Sequence, residues 1–193
     1  AFVTRQSNGK YYRFHHMMKE CAQRVFAEMD WEKQQEYYKR YSIWYEGQKM
    51  YIHALSANWK CRNYDGMLKV IIKDAGILLA SLKPADVLSC LEECPVSKLK
   101  EYPLALLVLM RSMFNWKQIP KMLELKEMLI QSIQEHPEWS QEEKGNLLGE
   151  CDLIMSFLMY NDISKMSQFH RNASAQMSRP AISIRREGGW TFG

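Results

Sequence analysis

The run Met122-Leu123-Glu124-Leu125-Lys126-Glu127-Met128-Leu129-Ile130-Gln131-Ser132-Ile133 decides the fold class. Met122, Leu125, Leu129 and Ile133 stand at i, i+3, i+7 and i+11, a single apolar stripe on a helix of 3.6-residue period. The same offsets occur upstream in Leu68, Ile71, Ala75 and Leu79, and downstream in Met166, Phe169, Ala173 and Met177. Each stripe follows an earlier helical run across a short polar turn: Asn63-Tyr64-Asp65, Asn115-Trp116-Lys117 and Tyr160-Asn161-Asp162. A helix-turn-helix unit repeated with uneven spacing predicts an all-α, degenerate TPR-like helical-repeat array, a solenoid. Gly76 marks a place where the helix carrying Leu68 can end early.

Boundary chemistry agrees with this division. Pro84 and Pro103 suit the first turn of a helix, where a missing N–H costs little. Cys94-Pro95 and His136-Pro137 suit helix ends. Ser140 and Glu143 have capping-box spacing ahead of Leu147, Cys151, Ile154, Met155 and Leu158. The run Leu104 to Met110 is apolar throughout and fits a buried helix.

The first thirty residues differ. Phe2-Val3-Thr4 and Lys10-Tyr11-Tyr12-Arg13-Phe14 are short β-like runs, with Ser7-Asn8-Gly9 as a hairpin turn between them. A helix follows from about Met17 to Met29. Strand, turn, strand and helix predict the wing end of a winged-helix module. The expected division is 1–30 for this β-hairpin and winged-helix remnant, 31–178 for the helical repeats, and 179–193 for an extended loop. Phe2-Val3 and the turn-like Gly188-Gly189 before Gly193 read as internal cuts, so a segment of a longer protein is expected.

The totals set limits. The chain has 193 residues, 47% hydrophobic and 25% charged, with a net charge of +4. That composition can bury a core, and scattered basic residues do not mark a nucleic-acid surface. Five cysteines, an odd number without disulfide-like spacing, point to reduced thiols and a cytoplasmic protein. No apolar run approaches the roughly 18 residues a membrane span needs, and no signal peptide opens the chain.

Few motifs carry chemistry. Gly9-Lys10 is followed by Tyr11 and lacks the leading glycine of a phosphate loop, so it reads as a hairpin. Cys90 and Cys94 share one helical face and make half a metal site, but no second pair completes it, so buried structural thiols are expected. His15, His16, His53, His136 and His170 form no HExxH arrangement, and a catalytic base needs a partner that no spacing reveals. Glu92-Glu93 and Glu142-Glu143 diverge around a helix and read as solvated faces. Arg179, Arg185 and Arg186 read as a solvated, mildly basic tail. Tyr37, Tyr38, Tyr41, Trp44 and Tyr45 fill one broad helical face that ends at Gly47. Such rings stack on ligands or form core between helices, and core is the expected role of the stripe. Tyr38, Tyr45 and Tyr64 are the candidates for ligand or partner contact.

Together these residues resemble the large LuxR-type (MalT-like) STAND ATPase transcriptional regulators. Tyr12-Arg13-Phe14-His15, with Met17, Met18 and Cys21 on the next helix, is similar to the end of that family's winged-helix arm. Tyr102-Pro103-Leu104-Ala105, Asn146-Leu147-Leu148-Gly149-Glu150, Tyr160-Asn161-Asp162 with Met166, and Gly189-Trp190-Thr191-Phe192-Gly193 resemble its helical-repeat segment. The match in order and spacing covers nearly the whole chain and departs at His16, where proline is frequent.

The resemblance implies an upstream ATPase that binds ATP or ADP and a downstream helix-turn-helix that binds DNA. Both would lie outside this chain, which would hold no cofactor of its own. It implies a repeat segment that senses a small-molecule inducer or regulatory protein, releases an ADP-held resting form and permits self-association. His15 would approach the nucleotide phosphates in the full-length protein. The expected function is signal sensing and oligomerisation in transcription regulation, without catalysis or membrane contact. The alternative is a generic TPR-like protein-binding adaptor.

Overall fold

Helix α7 (Pro103–Asn115) carries apolar residues on every side, and a helix of that kind is stable only when surrounded. In the computed structural model it is the centre of the molecule: every residue from Ala105 to Met113 is buried. The structure describes residues 3–5 and 12–184.

Among the described residues nine further helices surround or extend from α7. They are α1 (His16–Ala27), α2 (Trp31–Gly47), α3 (Tyr51–Lys60), α4 (Tyr64–Lys73), α5 (Pro84–Glu93), α6 (Val96–Lys100), α8 (Ile119–Glu135), α9 (Gln141–Ser156) and α10 (Ile163–Gln176), with short 3-10 turns at Leu78–Ser81 and Phe157–Met159. Consecutive helices pack as hairpins: α2 on α3, α3 on α4, α7 on α8, and α9 on α10. The pairs are joined into one core where α7 meets α4, α6 and α9. The fold is therefore all-α, with a small N-terminal hairpin, as the repeating stripes predict. Among the described residues no helix is long and apolar enough to cross a membrane.

The α8 stripe is buried as expected, with Met122, Leu125 and Leu129 fully enclosed and Ile133 nearly so. Each such side chain contributes about 1.5–3 kcal/mol of transfer free energy. Pro84 and Pro103 open α5 and α7. Ser140 and Glu143 form the reciprocal capping box of α9, with the Glu143 amide donating to Ser140 Oγ at 3.1 Å and the Ser140 amide donating to Glu143 Oε2 at 2.9 Å.

One connection recurs. After α2, α3, α4 and α7 the chain enters the left-handed region at Lys49 (φ 58°), Arg62 (φ 54°), Ala75 (φ 48°) and Lys117 (φ 57°). At each of these turns the same two bonds close the helix. The left-handed residue's amide donates to a carbonyl three back, and the next amide donates five back: Lys49 to Glu46 and Met50 to Tyr45, Arg62 to Trp59 and Asn63 to Asn58, Ala75 to Ile72 and Gly76 to Ile71, Lys117 to Phe114 and Gln118 to Met113. This is the Schellman closure, and here no glycine occupies its left-handed site.

The α4 turn corrects one expectation. Leu68, Ile71, Ala75 and Leu79 do not share one helix, because Ala75 and Gly76 (φ 75°) both turn left-handed and the chain resumes as a 3-10 turn. A Cβ on Gly76 would also lie 2.5 Å from Val108 Cγ1 on α7. Glycine has a different use in α9. Gly145 and Gly149, one turn apart, let α10 approach: a Cβ on Gly145 would sit 2.6 Å from the Gln176 carbonyl, and one on Gly149 would collide with Met177.

At the N-terminus, β1 (Val3–Arg5) pairs antiparallel with β2 (Tyr12–Phe14), Val3 facing Phe14 and Arg5 facing Tyr12. The expected turn Ser7-Asn8-Gly9 and the Gly9-Lys10 pair lie outside the described residues, as do Phe2, Arg185, Arg186 and the stretch Gly188 to Gly193. Helix α1 buries no residue, and Met17 and Val25 are more than half exposed. Phe26 meets Tyr38 edge-on at 5.2 Å, which holds α1 against α2. The aromatic face of α2 is a second correction. Tyr37, Tyr41 and Trp44 are exposed rather than core, because α3 covers only the flank that carries Ser42 and Tyr45.

A third correction concerns the residues after α10. The chain from Ser178 to Ser183 is held against α9 and α7 rather than solvated. Ser178 donates through its amide to Asn146 Oδ1 at 3.0 Å and through its hydroxyl to Glu142 at 2.6 Å. Arg179 pairs with the fully buried Glu150 at 2.7 Å.

Candidate functional site

Ile52, Leu55, Ser56 and Trp59 stand at i, i+3, i+4 and i+7 of α3, so they run down one face. That face looks toward α5 across a gap that α4 floors with Met67 and Ile71. Leu79 and Leu82, placed by the turn at Gly76, close one side, and Val87, Cys90 and Leu91 of α5 close the other. The result is a cavity of about 270 Å³ whose mouth carries the exposed residues Ile52, His53 and Asp86.

Its walls are fixed. Trp59 Nε1 donates to Glu93 Oε2 at 3.0 Å, which sets the plane of the indole. Cys90 Sγ donates to Met67 Sδ at 3.0 Å, placing two sulfurs side by side in the floor. Burial pushes the Cys90 thiol up to about 12, and the neighbouring Cys94 up to about 11. Both are therefore protonated at neutral pH, weak as nucleophiles and as metal ligands. Among the described residues no group of three or more His, Cys, Asp or Glu is arranged around a common point for a metal ion.

The mouth is different. Among the described residues, the side chains of His53, Ser56 and Asp86 make no hydrogen bond to the protein; His53 meets only the ring of Tyr45, edge-on at 5.1 Å. An apolar chamber with a few unsatisfied polar groups at its entrance is the usual form of a small-molecule site. What this arrangement can do chemically is bind and orient.

The tyrosines named from sequence are not brought together. Tyr38 packs between Phe26 and Lys60, whose Nζ lies 5.6 Å from the ring centre. Tyr45 supports His53 from behind. Tyr64 opens α4 half-buried against the core, and burial raises its hydroxyl pKa. His15 is exposed at the start of α1, its ring 4.3 Å from that of His16.

The remaining histidines have local tasks. His136 stacks on Trp139 at 4.4 Å and bonds Glu138 at 2.6 Å. His170 Nε2 lies 3.0 Å from the buried Ser156 Oγ, but that hydroxyl donates to the Leu153 carbonyl at 2.6 Å. The imidazole is then the donor, and the serine is not activated as a nucleophile. The paired glutamates Glu92, Glu93, Glu142 and Glu143 are all exposed, and Glu93, Glu142 and Glu143 also accept hydrogen bonds through their carboxylates.

Sequence reasoning did not reach the polar clamp beside the cavity. Arg111, buried in α7, donates to the Ala75 carbonyl and, at 2.7 Å, to the Ser183 carbonyl. The Ala75 turn leads directly into the cavity wall at Leu79, so one guanidinium joins that wall to the C-terminal strap. An arginine within an otherwise apolar helix is the signal that would have found it. No family model, curated protein or solved structure matches the chain.

Proposed function

We propose that this chain is the signal-sensing and oligomerising segment of a cytoplasmic LuxR-type transcription regulator, acting by binding rather than catalysis. The observation that carries the reading is the open, apolar cavity between α3, α4 and α5 with unpaired polar groups at its mouth. The motif resemblance supplies the rest of the reading: an upstream ATPase and a downstream DNA-binding helix-turn-helix.

A ligand in the cavity biases the protein only if it prefers one arrangement of the surrounding helices. The Leu78–Ser81 turn is the natural mover, since it lines the cavity and is tied through Arg111 to the strap. The test is Leu55→Trp in the full-length regulator, which fills the cavity. Signal-dependent transcription of a target promoter should be lost while the uninduced level persists. Unchanged induction would end this reading, as would neighbouring coding sequence with neither a phosphate loop nor a helix-turn-helix.

The exposed face of Tyr37, Tyr41 and Trp44 favours a second reading, a protein-binding helical adaptor. In that case Trp44→Ala, and not Leu55→Trp, would abolish the response.

A further inference from the structure

We propose that the cavity between α3, α4 and α5 binds a small aromatic amine, its ring enclosed by Trp59, Met67 and Cys90 and its ammonium held at Asp86. The proposal rests on the sensing role above in that it names the ligand.

Three observations select this chemistry. The volume, about 270 Å³, lies just below the usual range for drug-sized ligands and suits a single fused or substituted ring. Its floor sets the Met67 and Cys90 sulfurs 3.0 Å apart. Polarizable sulfur is favourable against an aromatic ring, and the indole of Trp59, locked by Glu93, adds a flat wall. At the mouth, Asp86 has neither an ion-pair nor a hydrogen-bond partner among the described residues. The neighbouring acid Glu93 is spoken for by Trp59. An ammonium would be the charge complement of Asp86, and Ser56 and His53 could accept its remaining hydrogens. A carboxylate ligand would meet Asp86 as a like charge.

The experiment is isothermal titration of this chain with tryptamine, indole and indole-3-acetate, which share a ring and differ in charge. Tryptamine should bind about tenfold more tightly than indole, the worth of one charge-assisted hydrogen bond. Indole-3-acetate should bind no better than indole. Asp86→Asn should bring tryptamine to the affinity of indole and leave indole unchanged. The methyl resonance of Met67 should shift on saturation, which locates the ring without any variant.

Equal affinity for tryptamine and indole, retention of the preference in Asp86→Asn, a silent Met67 methyl, or no saturable binding would each overturn the proposal. Binding is read on the isolated chain. Loss of the amine preference therefore removes the ligand class alone, whereas a silent transcription assay removes the regulator reading alone.

Discussion

Glu150 accepts both the amide and the hydroxyl of Ser183, at 2.8 and 2.6 Å, with no part of the carboxylate's residue exposed to solvent. The same carboxylate takes the Ile182 amide at 3.0 Å and the Arg179 guanidinium at 2.7 Å. A buried charge of this kind is tolerated because its lone pairs are filled. Removing the charge strands its donors. Glu150→Gln should cost about 3 kcal/mol in urea unfolding and open the bonds after Ser178 to protease. A loss under about 0.5 kcal/mol, the range of neutral surface changes, would show that the strap is not held in solution.

The left-handed turns give a prediction of opposite sign. A side chain in that region costs roughly 1–2 kcal/mol, part of which glycine's greater freedom in the unfolded chain takes back. Lys49→Gly and Lys117→Gly should each stabilise the protein by about 0.5–1 kcal/mol. Gly76→Ala should destabilise it, since the added methyl meets Val108 as well as an unfavourable φ. Thermal melts of the three variants decide the matter: a lower midpoint for both lysine variants would contradict the turn assignment.

Asp65 makes stability depend on acid. The Tyr102 hydroxyl, donating to its carboxylate at 2.9 Å, and Lys98 at 3.3 Å hold its pKa below the ordinary 3.8. A carboxyl whose folded pKa is lowered stabilises the fold above its unfolded pKa, and that share fades as pH drops toward the folded value. Unfolding free energy between about pH 5 and about pH 2, the range that brackets carboxylate titration, should fall less steeply in Asp65→Asn than in the parent chain. The group is partly exposed, so the difference will shrink in high salt. Identical slopes would remove Asp65 from the account.

Thiol reactivity should be graded. Of the five cysteines, Cys21 is exposed and Cys61, Cys90, Cys94 and Cys151 are buried. Burial pushes Cys151, like Cys90, up to about 12. A colorimetric disulfide reagent at neutral pH should titrate one thiol rapidly and the rest only after denaturant is added. Two or more fast thiols in the native protein would mean that the core is more open than described.

These features differ in how visible they were beforehand. The α8 stripe, the apolar run Leu104 to Met110 of α7 and the Ser140–Glu143 box were legible because each rests on local periodicity or capping chemistry. The stripe from Leu68 to Leu79 misled, since its spacing is helical while the backbone at Ala75 is not. Left-handed sites are read from glycine, and lysine, arginine and alanine give no such sign. The aromatic face of α2 was found but its burial was not: periodicity tells which residues share a face, never what covers it. At the cavity, Ile52, Leu55 and Trp59 stand at helical spacing on α3. Asp86 and Cys90 join them only through tertiary packing, as Ser183 joins Glu150 across 33 positions of chain.

The recurring left-handed connector has a historical consequence. Lys49, Arg62 and Ala75 fall at equal intervals, so each short helix and its turn form a module of one length. A duplication or deletion of one module would leave both junctions chemically intact, because the closing bonds use only backbone atoms. Such an array can change its length through ordinary genetic accidents without inventing a new joint, and the side chains at the joint are not constrained by it.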